Sequence, residues 1–134
     1  MGVEPTQELQ KNSTETRGPS IALRGTLVLQ VNPDGRDNIQ IELAAPAGYV
    51  IGRSDAKSSF NPDIDMATFN ALDKGVSRRH AALVSHNNTL AALDLSSVNG
   101  TFLNGTRLLP ETPTPVHQGD TLSLGDLLIQ ISVL

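Results

Sequence analysis

Three short polar clusters in this chain carry residue types that could do chemistry. They are Gly52-Arg53, Ser77-Arg78-Arg79-His80 and Ser97-Val98-Asn99-Gly100-Thr101. Together they offer guanidinium groups, a hydroxyl and a side-chain amide. A guanidinium is planar, and its fork delivers paired, charge-assisted hydrogen bonds to an oxyanion. A phosphorylated side chain carries roughly -1.5 to -2 charge near neutral pH and presents three strong acceptor oxygens. The inventory suits capture of a phosphate on a peptide. It supplies no evident machinery for breaking a bond.

Each residue also has a plainer reading. Arg53 taken alone is a solvated surface arginine, and Arg79 is read as solvated charge. Ser77 can satisfy a local turn through a backbone bond. Asn99 can be a turn residue that tolerates positive φ. His80 reads as a hydrogen-bonded structural histidine at the edge of a strand, facing inward. A Ser77–His80 hydrolase would need an orienting acid and an oxyanion site. No Gly-x-Ser-x-Gly elbow is present in the sequence. His80, His86 and His117 are scattered, without metal-ligand spacing. Neither a phosphate loop nor a dinucleotide fingerprint occurs. The chain is therefore expected to be no enzyme and to need no cofactor or metal.

The elements that must hold these clusters read as short strands. Residues 26–31 form a strand-like run, followed by the turn signal Asn32-Pro33-Asp34-Gly35. Residues 39–43 alternate apolar and polar, as a half-buried strand does. Residues 49–51 make a third strand. A long loop follows from 54 to 76, with a short strand expected near 64–66. Residues 81–86 and 89–95 pair across Asn87-Asn88. Residues 101–103 and 107–109 pair across Asn104-Gly105, because Asn-Gly favours a two-residue turn. Residues 121–124 and 127–133 close the chain. Many short strands spaced by turn signals predict an all-β sandwich. Residues 1–20 lack apolar periodicity and are rich in polar residues, so a flexible tail is expected there, with 21–134 as the domain.

Composition narrows the partners. The chain has 134 residues, enough for one ordinary domain. Its net charge of -4 opposes non-specific attraction to nucleic acid or anionic membrane. Aromatic residues make up 3% and Trp is absent, which argues against a stacking platform for single strands. There is no cysteine, so disulfides, thiol catalysis and Cys-ligated metals are excluded. No apolar run approaches the ~18–20 residues of a membrane span. The expectations are a cytoplasmic protein, no nucleic-acid partner and no direct membrane insertion.

The order Gly-Arg, Ser-Arg-Arg-His, Ser-x-Asn-Gly-Thr and a further Asn-Gly resembles the forkhead-associated (FHA) domain family. The match spans roughly residues 25–134. The resemblance implies a β-sandwich of about eleven strands in two sheets, which binds phosphothreonine peptides with its loops. It implies Arg53, Ser77 and Arg78 as phosphate ligands. It implies Asn99 as the contact to the peptide main chain, with Ser97 and Val98 beside it in the peptide-binding loop. Gly52, His80, Gly100 and Asn104 match positions that shape the loops. Val98 departs from members that carry Thr or Ser there, so one phosphate hydrogen bond fewer is expected. The loop before Ser77 is longer than in compact members. The expected function is non-catalytic recognition of a phosphothreonine-containing protein in signalling or scaffolding. A phosphorylated Thr14 or Thr16 of the chain's own tail is a second expected ligand. The rival reading is a structural adaptor that binds through sheet faces or edges, independently of phosphate.

Overall fold

The structure, a computed structural model, describes residues 17–33 and 37–134. The expected flexible tail lies outside the described residues up to Thr16, and so do positions 34–36 of the first turn. The strands are β1 (Gly25–Val31), β2 (Asn38–Leu43), β3 (Gly48–Gly52), β4 (Ile64–Asp65), β5 (Arg79–His86) and β6 (Thr89–Asp94), followed by β7 (Thr101–Leu103), β8 (Thr106–Arg107), β9 (Thr114–Pro115), β10 (Thr121–Leu124) and β11 (Leu127–Val133). They form two sheets, in the orders β2-β1-β11-β10-β7-β8 and β4-β3-β5-β6-β9. The all-β sandwich of eleven strands expected from the sequence is what the chain adopts.

Alternation builds the core. Leu27, Leu29 and Val31 of β1 are buried with Leu122 and Leu124 of β10 and with Leu127, Ile129 and Ile131 of β11. Ile51, Leu83, Leu90 and Ala92 belong to the same buried cluster from the other sheet. The intervening side chains of β11, Leu128 and Gln130, face out, as the period of two requires.

Three details differ from the sequence reading. β8 covers Thr106–Arg107 and not 107–109, because the turn has only two residues and Leu103 pairs directly with Thr106. Both turn residues have positive φ, 50° at Asn104 and 85° at Gly105, as that turn type demands. β9 was not anticipated; it is two residues long and ends in Pro115, which is tolerated only because the strand is an edge. Finally, Arg17 and Ser20 are held on the sandwich. Arg17 forks onto the Asp120 carboxylate and Ser20 bridges His117.

The strands also sort the loops between two ends. Leu124 pairs with Thr101, and Leu122 with Leu103. Gly125 donates to the Gly100 carbonyl, so the β10–β11 turn lies against the loop before β7. Asp120 sits at the other end with the Asn104 turn, whose side chain donates to it at 3.0 Å. The polar clusters at 52–53, 77–80 and 97–101 gather at the first end.

Candidate functional site

β3 and β5 pair through a bulge. Ile51 opposes Ala81, but Gly52 opposes Arg79. His80 is therefore the extra residue, and both His80 and Ala81 turn inward, each 0% exposed. A bulge re-aims side chains and is common beside functional sites. Here it brings the two backbones unusually close. A Cβ on Gly52 would lie 1.8 Å from the Arg78 carbonyl oxygen. Only glycine fits, and that approach lets the Arg53 amide donate to the same carbonyl at 3.2 Å.

Arg53 is then fixed by its own stem. Its Nε donates to the Val76 carbonyl at 2.7 Å, which leaves the terminal nitrogens of the fork for an anion. Arg53 Nη1 lies 3.5 Å from Asp55 Oδ2, and Arg78 Nη2 lies 3.1 Å from the same oxygen. The two guanidinium groups, from different loops, converge on one carboxylate oxygen. The Asp55 carboxyl is held below the ordinary carboxylate range, first by the Lys57 amide and then by the Arg78 guanidinium.

Ser77 joins this group. Its hydroxyl oxygen accepts from the Val98 amide at 3.2 Å and keeps its proton to donate. That contact also ties the second cluster to the third. His80 makes a stronger tie beneath it. Its Nδ1 accepts from the Ser77 amide at 3.0 Å, and its Nε2 lies 2.8 Å from the Gly100 carbonyl. Those partners require a neutral ring with the proton on Nε2. Burial lowers its pKa, outweighing the Gly100 bond and the Asp94 charge that act the other way. His80 is thus a strut between two loops.

The third cluster is held from inside. Asp94 is 3% exposed and accepts from the Ser97 hydroxyl at 2.6 Å and the Thr101 hydroxyl at 2.7 Å. The Ser97 oxygen in turn accepts from the Gly100 amide. The Ser97 hydroxyl is consumed by this stitching and shapes the loop. Gly100 has φ of 90°, and a Cβ there would sit 2.8 Å from Arg107 Nε, so the loop needs glycine at this point. Asn99 is exposed; its amide nitrogen donates to the Gly75 carbonyl at 3.0 Å, and its carbonyl oxygen remains an acceptor. Val98 is 82% exposed beside Ser77.

The structure thus brings Arg53, Ser77, Arg78, Val98 and Asn99 to one end of the sandwich. Asn104 is not among them. β7 carries the chain away from the site, and Asn104 braces the opposite end by donating to Asp120 and accepting from the Thr121 amide. Of the third cluster, Ser97 to Gly100 belong to the loop and Thr101 already opens β7.

Two features escaped the sequence reading. Asp55 carried a signal only in hindsight, a carboxylate two residues after Arg53. Arg79, read as solvated, lies over the Phe60 ring with its Cζ 5.6 Å from the centroid, a cation–π contact. Among the described residues, no group of three or more His, Cys, Asp or Glu could hold a metal, and no helix is long and apolar enough to cross a membrane.

The FHA domain family model matches residues 49–125. The probable E3 ubiquitin-protein ligase dma1 of Schizosaccharomyces pombe is 42% identical over 65 residues, covering 46% of this chain and 24% of that protein. The protein phosphatase 1 regulatory inhibitor subunit PPP1R8 homolog of Arabidopsis thaliana is 32% identical over 101 residues, 73% of this chain and 24% of that protein. The chain spans only about a quarter of the length of these relatives. Among solved structures, the FHA domain of an Arabidopsis thaliana hypothetical protein superposes with a TM-score of 0.63 at 26% identity, covering 87% of this chain and 92% of that one.

Proposed function

Because the chain belongs to the FHA domain family, we propose that it recognises phosphothreonine on a partner protein through Arg53, Ser77 and Arg78, with Asn99 holding the peptide main chain. FHA domains are phosphothreonine-peptide binding modules of protein interactions, and the family match covers residues 49–125. One observation carries the assignment of residues. Arg53 and Arg78 already share a single anionic oxygen, at 3.5 and 3.1 Å. A carboxylate oxygen is the nearest thing in a protein to a phosphate oxygen. A site that gathers two guanidinium groups on one such atom has the geometry for a doubly charged ester.

In this reading Arg53 supplies the better-fixed fork, since its Nε is anchored to Val76. Arg78 is 51% exposed and supplies a more mobile charge. Ser77 donates its hydroxyl proton to a phosphate oxygen. Asn99 exchanges its bond to Gly75 for, or shares it with, the ligand backbone. The loops are already bound together through His80, Asp94 and Ser97, so little ordering entropy is lost on binding. The partner is a phosphothreonine-containing protein, and the role is signalling or scaffolding without catalysis.

A thermal-shift measurement tests this against the phosphate-independent adaptor. A ligand that binds only the folded state stabilises it by about 2.7 kcal/mol at a hundred times its Kd. A phosphothreonine peptide library should raise the melting temperature, and the unphosphorylated counterparts should not. Equal shifts from both sets would favour the adaptor.

A further inference from the structure

Asp55 occupies the place that the proposed ligand needs. Its Oδ2 lies between Arg53 and Arg78 at 3.5 and 3.1 Å, while its Oδ1 accepts from the Lys57 amide at 2.9 Å. The Ser58 amide closes the same turn onto the Asp55 carbonyl. The carboxylate is therefore aimed by its own loop, and one oxygen is left to face the arginines. Resting on the phosphopeptide reading, we infer that Asp55 is a built-in competitor, an internal anion that a ligand must displace, and that it makes the site select a phosphate over a carboxylate.

The selection follows from charge and tethering. Asp55 is a monoanion held beside both guanidinium groups. A tether this short gives it an effective concentration on the order of millimolar or above. A glutamate or aspartate on an incoming peptide brings the same charge and the same acceptor chemistry, so it gains nothing by exchange and is diluted in solution. A phosphate brings up to a second charge and a third oxygen, enough to reach Arg53, Arg78 and the Ser77 hydroxyl together. Once displaced, Asp55 also repels whatever anion replaces it, so a ligand must win its place through the second charge and the third oxygen that only a phosphate brings. The carboxylate thus sets a threshold. It lowers the affinity for every anion, and carboxylate mimics fall below it.

The test compares the full chain with Asp55→Asn and Asp55→Ser. Both substitutes retain an oxygen that can accept from the Lys57 amide, so the turn is preserved while the charge is removed. Each protein is titrated with a phosphothreonine peptide and with the same peptide carrying glutamate in place of the phosphothreonine. The variants should bind the phosphopeptide about threefold to tenfold tighter, the range for losing two exposed ion pairs. They should also bind the glutamate peptide measurably where the unaltered chain does not. In the unaltered chain, the Asp55 carboxyl carbon resonance should move as phosphopeptide is added. Unchanged or weaker phosphopeptide binding by both variants would overturn the inference, because Asp55 would then be holding the arginines in place for the ligand. An unmoved Asp55 resonance at saturation would overturn it equally. Failure of all three proteins to bind the phosphopeptide would remove the phosphopeptide reading itself, and the inference with it.

Discussion

Arg53 reaches the site because Gly52 lets β3 pass within hydrogen-bonding distance of Arg78. The Gly52→Ala change puts a methyl group 1.8 Å from a backbone oxygen, and backbone cannot step aside as a side chain can. We expect a loss of roughly 2–3 kcal/mol, read from urea denaturation, together with loss of ligand binding in any folded fraction. Native stability in this variant would mean that the bulge can relax. Val98 makes the opposite prediction. It is exposed beside Ser77 and offers no side-chain donor. Val98→Thr is nearly isosteric and adds a hydroxyl, and a bond to a charged acceptor is worth about 1.5–3 kcal/mol at best. Phosphopeptide affinity should rise by roughly tenfold to a hundredfold in a calorimetric titration. An unchanged Kd would show that this position does not face the phosphate. At this scale the sequence was legible for residues whose type dictates their use. Arg53, Ser77, Arg78 and Asn99 were singled out because their motifs follow one another in an order that resembles the FHA family, while each residue alone had a plainer reading. Asp55 was not found, since a carboxylate near an arginine in sequence becomes an ion pair only when the loop between them turns back.

His80 joins the loop before β5 to the loop before β7, and its protonation state matters to both. Its folded pKa lies below the unfolded value of 6.5 because the ring is buried. Protons therefore bind the unfolded chain preferentially, so the contribution of His80 is complete above about pH 6.5 and is lost as the pH falls from there through the folded pKa. Urea midpoints measured from pH 7.5 down to 5 should be level at first and then decline, and His80→Gln should flatten that decline. A midpoint constant across the window would contradict a neutral, buried strut. A second decline should follow below about pH 3.8. Burial pushes the Asp120 carboxyl upward, but Arg17, Asn104 and the His117 amide outweigh it and leave it below its ordinary value of 3.8. Most elements were legible because β1 and β11 alternate along their length and because β5 and β6 pair across an Asn-Asn turn. β9 was not, because two residues ending in proline have no period to read. The inward turn of both His80 and Ala81 was also hidden, since it comes from a bulge that depends on which residue opposes Gly52.

The whole molecule separates the site from the start of the described chain. Arg17 is pinned on Asp120 at 2.5 Å, and Asp120 is five residues along β10 and its turn from Gly125, which touches the site loops. At about 3.4 Å per residue that is roughly 17 Å. The contact that holds Arg17 joins residues 17 and 120 and is invisible to any local pattern. The central claim concerns Arg53, Arg78 and Ser77 acting on one dianion. The measurement that addresses it most directly is calorimetric titration of one phosphothreonine peptide into the unaltered chain and into Arg53→Ala. The account predicts saturable binding to the first, none to the first with the unphosphorylated peptide, and at least a tenfold weakening in the second, the scale of one charged hydrogen bond. Equal dissociation constants for the two proteins would contradict it.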